Sequence, residues 1–498
     1  MKSSRFLSIL TFSLSALVAS GCSRRTDDHR AIQVRSRIPL RTCNHENAAG
    51  DALCGNYEVY EDRTTKTGRK ISLNIIVLPA QTSNPTPDPV FWLVGGPGDA
   101  ATRDADSSPS TLFHEVGKNR DVIFVDQRGT GSSNPLNCDL GDDPANLASF
   151  FGELFPIEKV RACRQQLEKV ANLALYTTPI AMDDLDEVRE ALGYDKINLA
   201  GSSYGTIAAQ VYMRQHPDHV RAVFLAGVAS PAIRQPLLFA RAAQNALDFL
   251  FVDCAADRIC NTAFPNFKSE FDAVIARFDK GPVNAELKDP QTGTKQTVQI
   301  TRESFVEHLR LLLYAPYSAR YVPIVIHHAS QNDFLPFVSL AISFNVGPSL
   351  ARGMYLTVTC SEGVPFITES LLTQESKGTF VGEQRVRSHM EACKEWSHGK
   401  IAPEFIDLVN SAAPVLMISG EVDGATPPWF GEDAVKHFPN GRQVKFRYMG
   451  HGANNACVRS LFTDFIKSGS SAGLDTSCTA TVRRPAFITV DSALYAGP

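Results

Sequence analysis

Two kinds of hydrophobic pattern alternate along this chain. Residues 57–62 and 70–79 alternate apolar and polar side chains on either side of Thr64-Thr65-Lys66-Thr67-Gly68, which predicts a β-hairpin. Short apolar runs follow at 90–94, 121–125, 197–200 and 222–226, with two more strand candidates late in the chain, an apolar one at 414–419 and an alternating one at 443–447. Runs this short with no polar face suit strands buried on both sides, as in a parallel sheet covered by helices. Helical spacing fills the intervals. One helix is clearly delimited: Thr178 can cap it, Pro179 suits its first position, and Gly193 ends it. The pattern predicts an α/β fold with an eight-stranded, mostly parallel sheet and helices on both faces.

The interval 230–413 breaks this rhythm. It is far longer than an ordinary strand-to-helix connection and carries helical patterns at 237–251, 303–313 and 384–396. It predicts a mainly helical cap inserted over the sheet, between a first core segment (55–229) and a second one that includes a C-terminal tail (414–498). A length of 498 residues is ample for such an arrangement. The net charge of −4, without any Lys/Arg run, leaves no electrostatic footprint for nucleic acid.

Residues 1–21 read as a signal peptide. Lys2 and Arg5 precede an apolar run over 6–18 that is too short for a membrane-spanning helix. Ala19-Ser20-Gly21-Cys22 resembles a bacterial lipobox, which implies cleavage before Cys22, lipid on its sulfur and an anchored segment over 22–54. The expected location is then the cell envelope, facing the periplasm or the cell surface. Of the eleven cysteines, ten remain once Cys22 is set aside, an even number that suits an oxidising compartment. Sequence neighbours are the expected disulfide partners: Cys43 with Cys54, Cys138 with Cys163, Cys254 with Cys260, Cys360 with Cys393, and Cys457 with Cys478. No C-x-x-C or H-x-x-x-H spacing occurs, so no zinc site is expected, and the serine chemistry read below implies no metal or organic cofactor.

The pattern G-x-S-x-G occurs twice. Gly201-Ser202-Ser203-Tyr204-Gly205 lies between a strand and a helix, the setting in which a tight turn lifts the serine into a cleft. Gly469-Ser470-Ser471-Ala472-Gly473 has no strand before it and no His after it, so Ser471 reads as a linker residue. A serine hydroxyl needs a base to take its proton and an acid to orient that base. Asp423 follows the strand pattern at 414–419, with Glu421 as a nearby competitor, and His451 follows the last strand between two glycines. Their order, Ser, then Asp, then His, is the one this kind of sheet uses. Gly95-Gly96-Pro97-Gly98 supplies a turn for one backbone N–H aimed at an oxyanion, and Tyr204 supplies the second. The pair His327 and His328 lacks such placement and reads as surface or packing.

Taken in order, Gly95-Gly96-Pro97-Gly98, Asp126-Gln127-Arg128-Gly129-Thr130-Gly131-Ser132, the Ser203 turn, Asp423 with Thr426-Pro427, and Gly450-His451-Gly452 resemble the proline iminopeptidase and tripeptidyl aminopeptidase family of α/β-hydrolases. The likeness spans roughly 55–460, and Val94 departs from it, where the iminopeptidases usually carry His. It implies a triad of Ser203, Asp423 and His451, an oxyanion hole of Gly96 and Tyr204, and a structural turn at Asp126 and Arg128. It also implies a peptide substrate with a free N-terminus, whose ammonium is held by a cap acid. Glu362, in Thr359-Cys360-Ser361-Glu362-Gly363 at the end of the cap, is the candidate; the other reading of it is an exposed loop residue beside a disulfide. A carboxylesterase or lipase would use the same triad, and a non-catalytic binding protein on this fold is the remaining alternative.

Overall fold

The apolar runs assemble into one sheet. The computed structural model describes residues 32, 35–45, 48–106, 108–141, 146–288, 295–345, 350–452 and 454–491. Residues 1–21 and Cys22, expected as leader and lipid site, lie outside the described residues. The strands are β1 (Arg41–His45), β2 (Ala48–Tyr60), β3 (Lys70–Leu78), β4 (Val90–Leu93), β5 (Val122–Val125), β6 (Ile197–Ser202), β7 (Val220–Ala226), β8 (Val283–Lys288), β9 (Lys295–Ile300), β10 (Val415–Gly420) and β11 (Gly441–Phe446). Nine of them form one sheet in the order β1-β2-β3-β5-β4-β6-β7-β10-β11. The run from β5 to β11 is parallel, and β1, β2 and β3 form an antiparallel margin.

The ninth strand is β1, which the sequence pattern does not predict. Its residues, Arg41-Thr42-Cys43-Asn44-His45, are polar because they form an edge, and an edge strand needs no second apolar face. By contrast every residue of β5 and of β10 is buried, as their unbroken apolar runs require.

The delimited helix forms over Thr178–Ala191, with Pro179 in its first turn, but its cap differs from the expected one. No side chain at its N-terminus closes it. Instead Glu362 accepts hydrogen bonds from the Thr178 N–H at 2.5 Å and from Thr178 Oγ1 at 2.7 Å. A carboxylate from far along the chain thus meets the helix N-terminus, where orphan N–H groups and the dipole favour an anion.

The inserted interval is mainly helical and also holds the β8–β9 ribbon. Its packing divides near residue 350. Ala240, Leu247, Phe271, Phe305, Leu309, Val325 and Phe337 belong to an apolar cluster of the cap itself. Met354, Leu356, Val358, Ala392 and Trp396 join the cluster under the sheet, with Leu185, Val188 and Tyr212. The later third of the insertion is therefore integrated with the core. All five expected cysteine pairs are joined as disulfides, each with its Cα atoms 5.2–5.8 Å apart. Past the last α-helix, Ala456–Ser468, the tail returns to the cap: Arg484 pairs with Asp253, and Ile488 N–H donates to the Arg320 carbonyl at 3.1 Å.

Candidate active site

Ser203 lies between β6 and the helix Tyr204–Gln215 with φ of +55° and ψ of −124°. For a residue with a side chain this is a strained conformation, held only by tight surroundings. The surroundings supply it. Ser203 N–H donates to the Ala226 carbonyl at 3.0 Å, and its carbonyl accepts from Thr206 Oγ1 at 2.6 Å. A Cβ on Gly205 would collide with the Leu93 carbonyl, and one on Gly201 would stand 2.5 Å from the Gly205 carbonyl. The sharp turn therefore requires glycine at both positions.

The glycine-rich turn after β4 lies directly against the serine. A Cβ on Gly95 would stand 3.2 Å from Ser203 Cβ and 3.6 Å from its Oγ. Gly96 follows with φ of +111°, a conformation that suits glycine. Tyr204 opens the helix beside the serine, so its N–H belongs to the unpaired donors of a helix N-terminus. Of the two expected oxyanion donors, Tyr204 is the residue after Ser203, and Gly96 follows the glycine that packs against the serine.

Asp423 and His451 meet as predicted from their strand ends. Asp423 is fully buried. Its Oδ1 accepts from the N–H groups of Ala425 and Thr426 at 2.7 and 2.8 Å, and its Oδ2 accepts from Thr426 Oγ1 at 2.8 Å. His451 Nδ1 lies 3.0 Å from Asp423 Oδ2 and 3.0 Å from Thr426 Oγ1. It is Asp423, and not its neighbour Glu421, that holds the histidine. Gly227, one residue beyond the carbonyl that fixes Ser203, packs against the same ring: its Cβ would be 3.3 Å from His451 Cε1. The end of β7 thus connects the serine turn to the histidine.

The electrostatics of the pair follow from burial set against charge. Burial raises the Asp423 carboxyl, but the charge and hydrogen bond of His451 and the two amides outweigh it and leave it below its ordinary value. Burial lowers His451, and Asp423 outweighs this in turn, so the imidazole ends above its ordinary value. An aspartate kept ionised beside a histidine that it makes more basic is the arrangement required to accept a serine proton.

Glu362 lies elsewhere than expected. It is the last residue of the buried helix Arg352–Glu362 and is 5% exposed, so the exposed-loop reading is wrong. Thr178 Oγ1, which donates to it, also lies 2.6 Å from Tyr204 OH. Glu362 is thereby connected to the residue that follows the nucleophile. Burial pushes its carboxyl up to about 7, against the lowering effect of the two Thr178 bonds. Asp126 and Arg128 prove structural: Asp126 accepts from Thr102, Ser132 and Asn74, and Arg128 is buried against Asp184. His327 and His328 pair with Glu270 and Asp333, and Ser471 donates to the Asn440 carbonyl.

Sequence reasoning missed the cap residue Tyr314, whose carbonyl accepts the His451 N–H at 2.5 Å, because nothing near it in sequence marks it. One group among the described residues has ligand-type atoms within reach of a common cation: Asp186, His216 and His219. Asp186 Oδ1 already accepts from Arg189, Tyr212 and His219 at 2.7 Å each, so this cluster is a closed network with a guanidinium in it.

Comparison with known proteins agrees with this geometry. The family described as "alpha/beta hydrolase fold" matches residues 89–258, and that described as "TAP-like protein" matches 378–478. The chain is 30% identical over 512 residues to serine protease Hip1 of Mycobacterium tuberculosis, covering 93% of this chain and 95% of that one. It is 29% identical over 464 residues to tripeptidyl aminopeptidase of Streptomyces coelicolor, covering 85% and 82%. Proline iminopeptidase of Xylella fastidiosa is 28% identical over 148 residues, covering 30% and 34%. With relatives of this kind matched over nearly their whole length, the chain belongs to the α/β-hydrolase family, among its serine peptidases.

Proposed function

We propose that this protein is an aminopeptidase that releases amino acids or short peptides from free N-termini through an acyl-enzyme on Ser203. His451 takes the proton of Ser203 Oγ as that oxygen attacks the scissile carbonyl, and Asp423 keeps Nδ1–H of the imidazole pointed at itself. The N–H groups of Gly96 and Tyr204 stabilise the oxyanion. His451 then protonates the leaving amine, and water attacks the ester to free Ser203.

The preference for a free N-terminus rests on Glu362. It is a buried carboxylate whose two hydrogen bonds come from one neutral residue, Thr178, and it pairs with no cation among the described residues. A buried anion without a countercharge is costly, and a substrate ammonium supplies that charge. The test compares peptidyl anilides bearing free and acetylated N-termini, with simple acyl esters as a third set. Faster turnover of the free peptides is expected; equal rates for blocked and free peptides, or fast ester cleavage alone, would sink the reading.

The same proposal places the protein outside the cytoplasm, anchored through lipid on Cys22. Five disulfides support an oxidising compartment. Among the described residues no helix is long and apolar enough to cross a membrane. Labelling with a palmitate analogue should mark the wild type and leave Cys22→Ser unmarked.

A further inference from the structure

One turn of the cap reaches the loops that carry Asp423 and His451. The helix Arg302–Leu312 leads into Leu313, whose carbonyl would be 2.8 Å from a Cβ on Gly424, beside Asp423. Tyr314 comes next. Its carbonyl accepts the His451 N–H at 2.5 Å, and its ring stands edge-on to the imidazole, with centroids 5.2 Å apart and planes at 65°. A Cβ on Gly450 would collide with the same carbonyl, so the histidine loop is fitted to this residue.

Tyr314 is itself held from behind. Arg310 Nη1 donates to its hydroxyl at 2.6 Å, and the Arg310 guanidinium lies 5.1 Å from its ring centroid. Arg310 is buried and forks onto Glu307, through Nη2 at 2.6 Å and Nε at 3.2 Å. Glu307 also binds Arg385, whose Nη2 donates to Tyr355 OH at 3.1 Å. Phe239 lies under both guanidinium groups. Two arginines share one carboxylate here, and His389, beside Tyr355, is kept neutral mainly by burial. The cluster keeps one positive charge on the cap side of His451.

The Nδ1 bond to Asp423, the T-shaped contact with Tyr314 and the close approach of Gly227 to Cε1 together restrict how the imidazole can turn. We infer that Tyr314, braced by Arg310, is a positioning residue for the catalytic base, so the cap completes the catalytic unit as well as covering it. The inference rests on His451 acting as the base. The titratable and charged groups that face this imidazole are Asp423 from the loop after β10, where the neutral Thr426 hydroxyl also meets Nδ1, and Tyr314 and Arg310 from the cap. Arg310 opposes its protonation and Asp423 favours it.

The test uses the full chain and a free N-terminal peptidyl anilide, with rates expressed per active site titrated by a fluorophosphonate. Tyr314→Ala should lower kcat by roughly ten- to a hundred-fold, with KM within about twofold, as expected for a misplaced base. Tyr314→Phe keeps the ring and the carbonyl and should restore most of the rate. Arg310→Met should move the acid limb of kcat/KM to higher pH, and Tyr314→Phe should not. Unchanged kcat per titrated site in Tyr314→Ala, whatever its melting temperature, would overturn the inference. So would an unmoved acid limb in an Arg310→Met protein that still folds. Ser203→Ala separates the two levels: if it stays active, the triad itself is misassigned; if it is dead while Tyr314→Ala is normal, only the role of Tyr314 fails.

Discussion

Asp423 and Glu362 are both buried carboxylates close to the nucleophile, and their surroundings drive them in opposite directions. Asp423 accepts two backbone N–H groups, a hydroxyl and an imidazole that can carry charge, and it stays ionised. Glu362 accepts one N–H and one hydroxyl, with no charged partner among the described residues, and burial raises it to about 7. Burial alone therefore decides little. What decides the state of each acid is whether the fold delivers a positive partner or leaves that place to something else. One carboxylate is finished within the protein, and the other is left half-compensated.

The comparison breaks most visibly on catalysis. Asp423→Asn should lower kcat about 10⁴-fold, because the amide no longer enforces the working tautomer of His451. Glu362→Gln should leave kcat within about tenfold, measured on the same anilide. The next effect is on stability. Between 4.5, its ordinary value, and about 7, folded Glu362 keeps a proton that the unfolded chain has released, so stability falls as pH rises across that window. The loss is on the order of 3 kcal/mol. His451, raised in the fold, adds a loss as pH climbs past 6.5, whereas Asp423 contributes stability that disappears only in acid. Urea melts of wild type and Glu362→Gln at several pH values isolate the Glu362 share, and parallel curves would refute it.

A smaller effect concerns binding. Glu362→Gln should raise KM for free N-terminal substrates about ten- to a hundredfold and leave blocked ones unaffected, the scale of a charge-assisted hydrogen bond. In the wild type that KM should also climb as pH falls below about 7, where Glu362 takes up its proton. The smallest is a shift in profile. The acid limb of kcat/KM should lie above 6.5, the ordinary histidine value, and should move down when Asp423 becomes Asn.

The same contrast separates what the sequence makes legible from what it hides. Ser203, Asp423 and His451 are readable because each is placed by its own strand and flanked by turn residues, so local pattern fixes their position. Glu362 is readable as a residue of interest but not in its setting, since its partner Thr178 lies 184 positions away and the contact exists only once the insertion folds back. Tyr314 carries no signal at all: an aromatic just past a helical stretch looks like packing until its carbonyl is seen on the histidine loop. The fold shows the same division. Buried parallel strands announce themselves by unbroken apolar runs, and the polar edge strand β1 does not.

The pairing of β7 with β10 bears on how the protein is made. These strands are neighbours in the finished sheet, with Val415 opposite Val223, yet the whole insertion is synthesised between them. A nascent chain that has extended through the cap still presents β7, apolar along nearly its whole length, as an open edge ready to pair with any other strand. The sheet closes only when β10 arrives and fills that gap. Completion of the sheet is therefore a late event in the life of the polypeptide, and until then the β7 edge needs shielding from other strands.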